Sequence, residues 1–262
     1  MRSPRRPFGL ALFVALLAAI ICATPVAASS ATVIRNGDRG AKVIALTFDD
    51  GWSDQRTAEI VAILDRYGAP ATFFPYTSAV QASPDLWRSI ADRFPVGNHT
   101  LTHTRLTGLS APAIYAAIQG AARAFEQSTG RPMVRLFRPP YGRQNSTVAR
   151  EAYRAGYRHI VMWDVDSRDW KRPGDDVVLR RATGGQNGSI ILLHAGPPVT
   201  VRVLPAIIRH YQSLGYRFVT VPELLGMDWS PADADRPRSV PEPRLTRPAM
   251  FLRATAPGSA GA

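Results

Sequence analysis

Apolar residues along this chain fall into short runs separated by amphipathic stretches. KVIALTF (42–48) is a continuous run of strand length and reads as a buried strand. SDQRTAEIVAILDRYG follows, with Ile60, Ile63 and Leu64 at helical spacing, Ser53 as N-cap and Gly68 as the stop. PATFFP predicts a second strand and SPDLWRSIADRF a second helix, with Ser83 as N-cap and Pro84 at its first position. PVGNHT reads as a short strand end, and SAPAIYAAIQGAARAFEQSTG as a longer helix. VRLFRPP, HIVMWDVD, SIILLH and YRFVTV are further strands, with STVAREAYRAG, DDVVLRRAT and VLPAIIRHYQSLG as the helices among them. Strict β-α alternation predicts an α/β fold, a parallel sheet covered by helices. Six or seven strands favour a barrel with fewer than eight staves over a doubly wound sheet. In either architecture the site belongs at the carboxyl ends of the strands.

The two ends depart from this pattern. Arg2, Arg5 and Arg6 precede an apolar run from Phe8 to Ala23 and then Val26-Ala27-Ala28, which is the layout of an export signal. Residues 1–28 are therefore expected to be removed, and secretion or attachment to the cell envelope is expected. The apolar run is shorter than the ~18 residues of a spanning helix, so no stable membrane span is expected after cleavage. Arg5-Arg6-Pro7-Phe8 loosely resembles a twin-arginine signal, which leaves the export route open. From Asp228 to the end, prolines recur among Arg, Ala, Ser and Asp without apolar periodicity, and a disordered tail is expected over 228–262. A lead of 29–41 and one catalytic domain of 42–227 remain.

The net charge is +12, carried almost wholly by arginine, since Lys42 and Lys171 are the only lysines. Without the three signal arginines it is 12 − 3 = +9. No basic run is clustered, which argues against a nucleic-acid partner, while an anionic cell-wall polymer suits such a surface. Cys22 is the only cysteine and lies in the signal, so the exported domain has no disulfide or thiol chemistry. A monomer is expected.

Chemically loaded residues sit where the strands end. Asp49 and Asp50 follow the first strand, His99 and His103 the third, Arg138 and Tyr141 the fourth, and Asp166, Asp169 and Trp170 the fifth; Leu192 and His194 close SIILLH. Asp-Asp-Gly alone reads equally well as turn chemistry. H-x-x-x-H places two imidazoles on one side of a helical turn, a metal-ligand spacing, and a capping pair is the plain alternative. The zinc-protease version needs Glu after the first His, where this chain has Thr100. Adjacent aspartates at a strand end diverge, so one can ligate a metal while the other takes a proton from water. Two His and one carboxylate suit Zn2+ or a similar divalent ion, with Co2+ or Ni2+ as alternatives. Arg138 can orient the base, and the Tyr141 N–H can face an oxyanion. His194 can serve as general acid, with Asp169 raising its pKa. Trp170 and Leu192 can wall the pocket.

With TFDDG, HTLTH, RPPYG, DSRDW and LLH in this order over roughly 42–225, the chain resembles the polysaccharide deacetylases of carbohydrate esterase family 4, the NodB-homology domain. The resemblance implies a distorted (β/α) barrel of about seven strands and metal-dependent removal of N- or O-acetyl groups from sugar polymers. It implies Asp49 as catalytic base, Asp50, His99 and His103 as metal ligands, and Arg138 and Asp169 as residues that tune base and acid. Tyr141 resembles the backbone oxyanion donor, Trp170 and Leu192 the pocket walls, and His194 the general acid; Asp166 takes no firm role. Pro75-Tyr76 departs from the small-residue turn of many relatives and is expected to border the sugar groove. Peptidoglycan is the first expected substrate, with chitin oligomers and acetylated xylan as alternatives. A non-catalytic glycan-binding domain and a hydrolase of another amide are the rival readings.

Overall fold

The computed structural model describes residues 29–230. The expected signal and residues 231–262 of the expected tail lie outside the described residues. Eight strands run β1 (Thr32–Ile34), β2 (Val43–Asp50), β3 (Ala71–Pro75), β4 (Leu136–Phe137), β5 (His159–Val161), β6 (Val165–Asp166), β7 (Ser189–His194) and β8 (Arg217–Phe218). One sheet has the order β3-β2-β7-β6, with β8 also on β2; the other is β1-β5-β4. Every pairing between these strands is parallel.

The two sheets are joined through residues 96–98. Val96 bridges Phe73 of β3, and Asn98 bridges Phe137 of β4. On the other side Asn36 bridges Ser189, and the Asp164 N–H donates to the Ile190 carbonyl at 3.3 Å. The sheets thus curve around a common centre as a distorted barrel rather than opening as one doubly wound sheet. All eight residues of β2 are buried, which explains why its sequence runs apolar without alternation, Thr47 aside, until the two aspartates.

Several sequence expectations change. The PVGNHT strand is reduced to the bridges at Val96 and Asn98. HIVMWDVD breaks into β5 and β6, because Met162, Trp163 and Asp164 leave the ladder between them. The lead contributes β1, three residues too short and too mixed in pattern to stand out, which pairs with β5. A six-residue helix, Thr77–Ala82, was also not anticipated. The helices Asp54–Tyr67, Pro84–Ala91 and Ala111–Thr129 occupy the expected places, and Gly68 ends the first in a left-handed conformation at φ 59°. Ser53 and Ser83 precede their helices without side-chain caps, and the Ser83 hydroxyl instead donates to the Asp54 carboxylate. At the far end Met227 and Trp229 pack on the barrel. No helix among the described residues is long and apolar enough to cross a membrane.

The largest core cluster is built where β2 and β3 meet the covering helices. Phe48 stacks on Phe73 at 5.3 Å, and Phe73 meets Trp87 and Phe94 edge-on at 6.2 and 5.5 Å. Phe73 is central to this group, so Phe73→Ala leaves a cavity that no neighbour can fill. The expected loss is about 3–5 kcal/mol of unfolding free energy, read from urea denaturation.

Candidate active site

The expected residues converge at the carboxyl ends of the strands. Asp49, Asp50, His99, His103, Tyr141, Asp166, Trp170, Leu192 and His194 line one cavity of about 380 Å³. Arg138 and Asp169 lie fully buried behind it. The six non-glycine residues with positive φ among the described residues are Asp50, at the end of β2, and Thr100, His103, Tyr141, Arg168 and Arg172, in the loops of this end. Left-handed backbone at L-residues is costly, and its confinement here marks loops held for function rather than for folding alone.

Asp49 and Asp50 diverge as the strand geometry requires. Asp49 Oδ1 accepts from the Arg138 guanidinium at 2.6 Å, while Asp50, at φ 75°, turns toward the histidines. Arg138 also donates to the carbonyls of Val161 and Met162, at 2.9 and 3.2 Å, and to Thr47 Oγ1 at 3.0 Å. Its guanidinium lies 4.2 Å from the centre of the Phe74 ring. Burial pulls the Arg138 pKa down and Asp49 pushes it back, with a net lowering from the ordinary arginine value.

The histidine pair is not on a helical turn, contrary to the spacing argument. Residues 99–105 form an irregular loop in which Thr100 and His103 have φ of 69° and 55°. The Asn98 side chain accepts from the Thr100 N–H at 2.9 Å, and its amide donates to the Ile118 carbonyl and the Tyr157 hydroxyl, each at 2.9 Å. The unanticipated helix Thr77–Ala82 aims its free N–H groups at this loop. Thr77 and Ser78 donate to the carbonyls of Thr100 and Leu101 at 3.0 and 2.9 Å. A short helix end thereby holds the loop that presents both imidazoles.

His99 Nδ1 lies 2.7 Å from the Arg138 carbonyl, which only accepts, so Nδ1 carries the proton and Nε2 presents a lone pair. That lone pair faces Asp50 Oδ1 at 3.5 Å, and His103 Nε2 faces the same oxygen at 3.3 Å. Asp50 Oδ1 is buried with no hydrogen-bond donor. Burial lowers the His103 pKa, helped by His99 and opposed by Asp50 and Asp49, which favours the neutral imidazole that ligation needs. Burial raises the Asp50 carboxyl, but the three histidines outweigh it and hold it below its ordinary value. An orphaned carboxylate oxygen facing two lone-pair nitrogens, all within 4.8 Å, fits a divalent cation. Asp50, His99 and His103 can therefore hold a metal ion.

His194 stands beside Asp49 in the β2–β7 register. Its Nδ1–H donates to Asp169 Oδ1 at 2.7 Å, which turns Nε2 away from Asp169. Asp169 also accepts from the backbone N–H of His194 and Trp170, at 2.8 and 2.9 Å, and from Thr200 Oγ1 at 2.6 Å. Burial pulls the His194 pKa down, but the hydrogen bond and charge of Asp169, joined by Asp49 and Asp50, leave it raised from 6.5 to about 9.

Tyr141 and Gly142 are both left-handed, so the Pro-Pro-Tyr-Gly turn is sharp. It sets the Tyr141 ring 4.4 Å from the His103 ring. Tyr76 borders the same side, 6.0 Å from His103. Asp166 accepts from the Arg168 N–H and faces the cavity without touching the acid–base pair. Arg105, Arg143 and Trp163 also line the cavity and were missed, as was Thr200. For Arg105 and Arg143 the available signal was adjacency to HTLTH and RPPYG; for Thr200 there was none.

The polysaccharide deacetylase family model matches residues 36–160. A peptidoglycan-N-acetylglucosamine deacetylase of Bacillus cereus is 37% identical over 190 residues, covering 70% of this chain and 88% of the relative. A chitooligosaccharide deacetylase of a Bradyrhizobium species is 32% identical over 201 residues, covering 71% and 91%. Among solved structures, a carbohydrate esterase family 4 pseudoenzyme of Bacillus anthracis aligns with a TM-score of 0.70 at 32% identity, covering 75% of this chain and 69% of that one. The α/β fold, the ordered motifs and this degree of likeness place the chain in the polysaccharide deacetylase family of carbohydrate esterase family 4, hydrolases of non-peptide carbon–nitrogen bonds.

Proposed function

We propose that this protein is a secreted, metal-dependent deacetylase that hydrolyses acetyl groups on cell-wall sugars, with peptidoglycan N-acetylglucosamine as its substrate. The reading is carried by one observation: an Arg-held carboxylate, an Asp-His-His cation site and an Asp-held imidazole line a single cleft. A divalent ion held by Asp50, His99 and His103, Zn2+ first, would lower the pKa of a bound water and polarise the acetyl carbonyl. Asp49, oriented by the Arg138 guanidinium, takes a proton from the attacking water. The Tyr141 N–H donates to the oxyanion that forms as the carbonyl carbon becomes tetrahedral. His194, protonated at neutral pH, passes a proton to the departing sugar nitrogen, and acetate and the free amine result. Trp170 and Leu192 wall the acetyl group.

The pseudoenzyme likeness favours a second reading, a non-catalytic glycan-binding domain. Against it stands the complete set of base, cation ligands and acid in this chain. The relatives named for peptidoglycan and for chitooligosaccharide leave two glycans in view, one charged and one neutral. Two arginines favour the charged one. Arg39, Arg93, Arg202 and Arg217 are each held by a carboxylate, whereas Arg105 and Arg143 line the cleft with no carboxylate partner among the described residues.

Acetate release from peptidoglycan fragments by the purified protein is expected to vanish on chelation and return with a divalent metal. Asp49→Asn is expected to lower kcat about 10²–10⁴-fold at unchanged circular dichroism; full activity there would refute the base assignment. Replacing Arg105 and Arg143 together with alanine is expected to raise KM several-fold for carboxylate-bearing fragments and to leave chitotetraose little changed, measured at low salt where such attraction is strongest. His194 must be protonated to act, so the rate profile is expected to have an alkaline limb where the imidazole, raised to about 9 in the metal-free site by Asp169 and its neighbours, loses its proton. Asp169→Asn removes the main raising influence and should move that limb to lower pH. In the chelated protein the raised pKa also contributes about 3 kcal/mol of stability, fully present below pH 6.5 and lost as pH rises through about 9. Unfolding curves across that window read this directly.

A further inference from the structure

Trp52 follows the Asp-Asp-Gly turn and belongs to none of the roles above. It is 42% exposed, a large apolar surface left in water. The exposed large apolar side chains among the described residues are Trp52, Leu109, Tyr141, Trp170 and Leu214. The three aromatic ones all stand around the reaction centre, and Trp52 is the one that neither the base, the cation site nor the acid explains.

One face of its ring lies directly against backbone. A Cβ on Gly196 would stand 2.1 Å from Trp52 Cε2, 2.4 Å from Cζ2 and 2.5 Å from Cδ2. Three consecutive ring atoms at nearly equal distance mean that the indole lies face-on to Gly196. Only glycine permits that approach, and Gly196 follows His194 by two residues. The Trp52 and His194 rings are 6.5 Å apart between centres, tilted by 45°. A flat, solvent-facing indole packed on backbone thus adjoins the imidazole that must reach the departing nitrogen.

On the reading that His194 protonates that nitrogen, the sugar ring carrying it must come within a few ångströms of the imidazole. A pyranose presents an apolar face of C–H groups, and an exposed aromatic ring with two torsions is well suited to cover it at small entropic cost. We propose that Trp52 is the floor of a pyranose subsite on the acid side of the cleft, seating the sugar whose acetamide is cleaved. Gly196 serves it by letting the ring lie against the backbone.

Chitotetraose tests this in two ways. In turnover, Trp52→Ala is expected to raise KM about tenfold, equivalent to 1.4 kcal/mol, with kcat and metal content little changed. Trp52→Phe should recover most of the loss, because an aromatic face suffices. An unchanged KM, a fall confined to kcat, or equal loss in the alanine and phenylalanine variants overturns the proposal. Binding is read separately in the Asp49→Asn protein from the indole N–H signal of Trp52, assigned by its absence in Trp52→Phe. A shift on adding chitotetraose supports the subsite even if no acetate is released, and no shift at saturating glycan overturns it. Failure of the deacetylase reading would instead show as a shifted indole with no acetate released by the wild-type, metal-loaded protein.

Discussion

The buried pair of Arg138 and Asp49 is the constraint on which the rest of this structure depends. A guanidinium with no exposure is tolerable only if its donors and charge are met, and here one carboxylate, one hydroxyl and two carbonyls meet them. These partners come from β2 and from the end of β5, so the pair ties together strands of both sheets. The Arg138 carbonyl accepts from His99, and the Arg138 N–H donates to the Asn98 carbonyl at 2.9 Å. One residue therefore orients the carboxylate, fixes a tautomer of the neighbouring imidazole and closes the barrel between residue 98 and β4. Deleting either partner of a buried pair leaves an uncompensated charge, a cost of about 3–5 kcal/mol.

Regular structure and strained backbone share the positioning of the cleft. On the acid side β2 and β7 place Asp49 beside His194, while Asp169, between left-handed Arg168 and Arg172, gathers four donors into one carboxylate. On the cation side Asp50 at the end of β2, and Thr100, His103 and Tyr141 in the loops, all take left-handed backbone. The cost of that strain is met by Asn98 and by the first N–H groups of Thr77–Ala82. A cation site assembled from a strand end and an irregular loop needs this bracing, because its three ligand atoms must converge from segments not paired with each other.

The charges in the cleft fall into a sequence that suits its chemistry. Asp50 is held ionised and His103 neutral, while His194 is held protonated. Three ionisable groups within one cavity are thus displaced toward the protonation states that ligation and proton donation need, His103 chiefly by burial, and Asp50 and His194 by neighbours that outweigh it.

Much of this was legible in the sequence. Apolar runs of strand length alternating with amphipathic segments gave the parallel α/β architecture, since burial on both faces leaves β2 apolar before its end except at the hydrogen-bonded Thr47. The chemically loaded residues could be placed at strand ends by counting, and their convergence followed from the fold class. What counting could not supply was anything decided by non-local contact. H-x-x-x-H suggested a helical turn, but Asn98 and the helix Thr77–Ala82 hold an irregular loop there instead. β1 and the break between β5 and β6 carried no periodicity to read, because segments of two or three residues are too short to show one. Thr200 reaches Asp169 only because the helix Pro198–Ser213 docks beside β7. Trp52 carried no signal in the sequence, because only folding brings Gly196 beneath its ring. By itself the sequence determined the residue types, their order and the strand ends that carry them, because side-chain chemistry and hydrophobic period are local. Tautomers, the orphaned oxygen of Asp50 and the exposed face of Trp52 were decided by tertiary structure, because each depends on groups that only folding brings within a few ångströms.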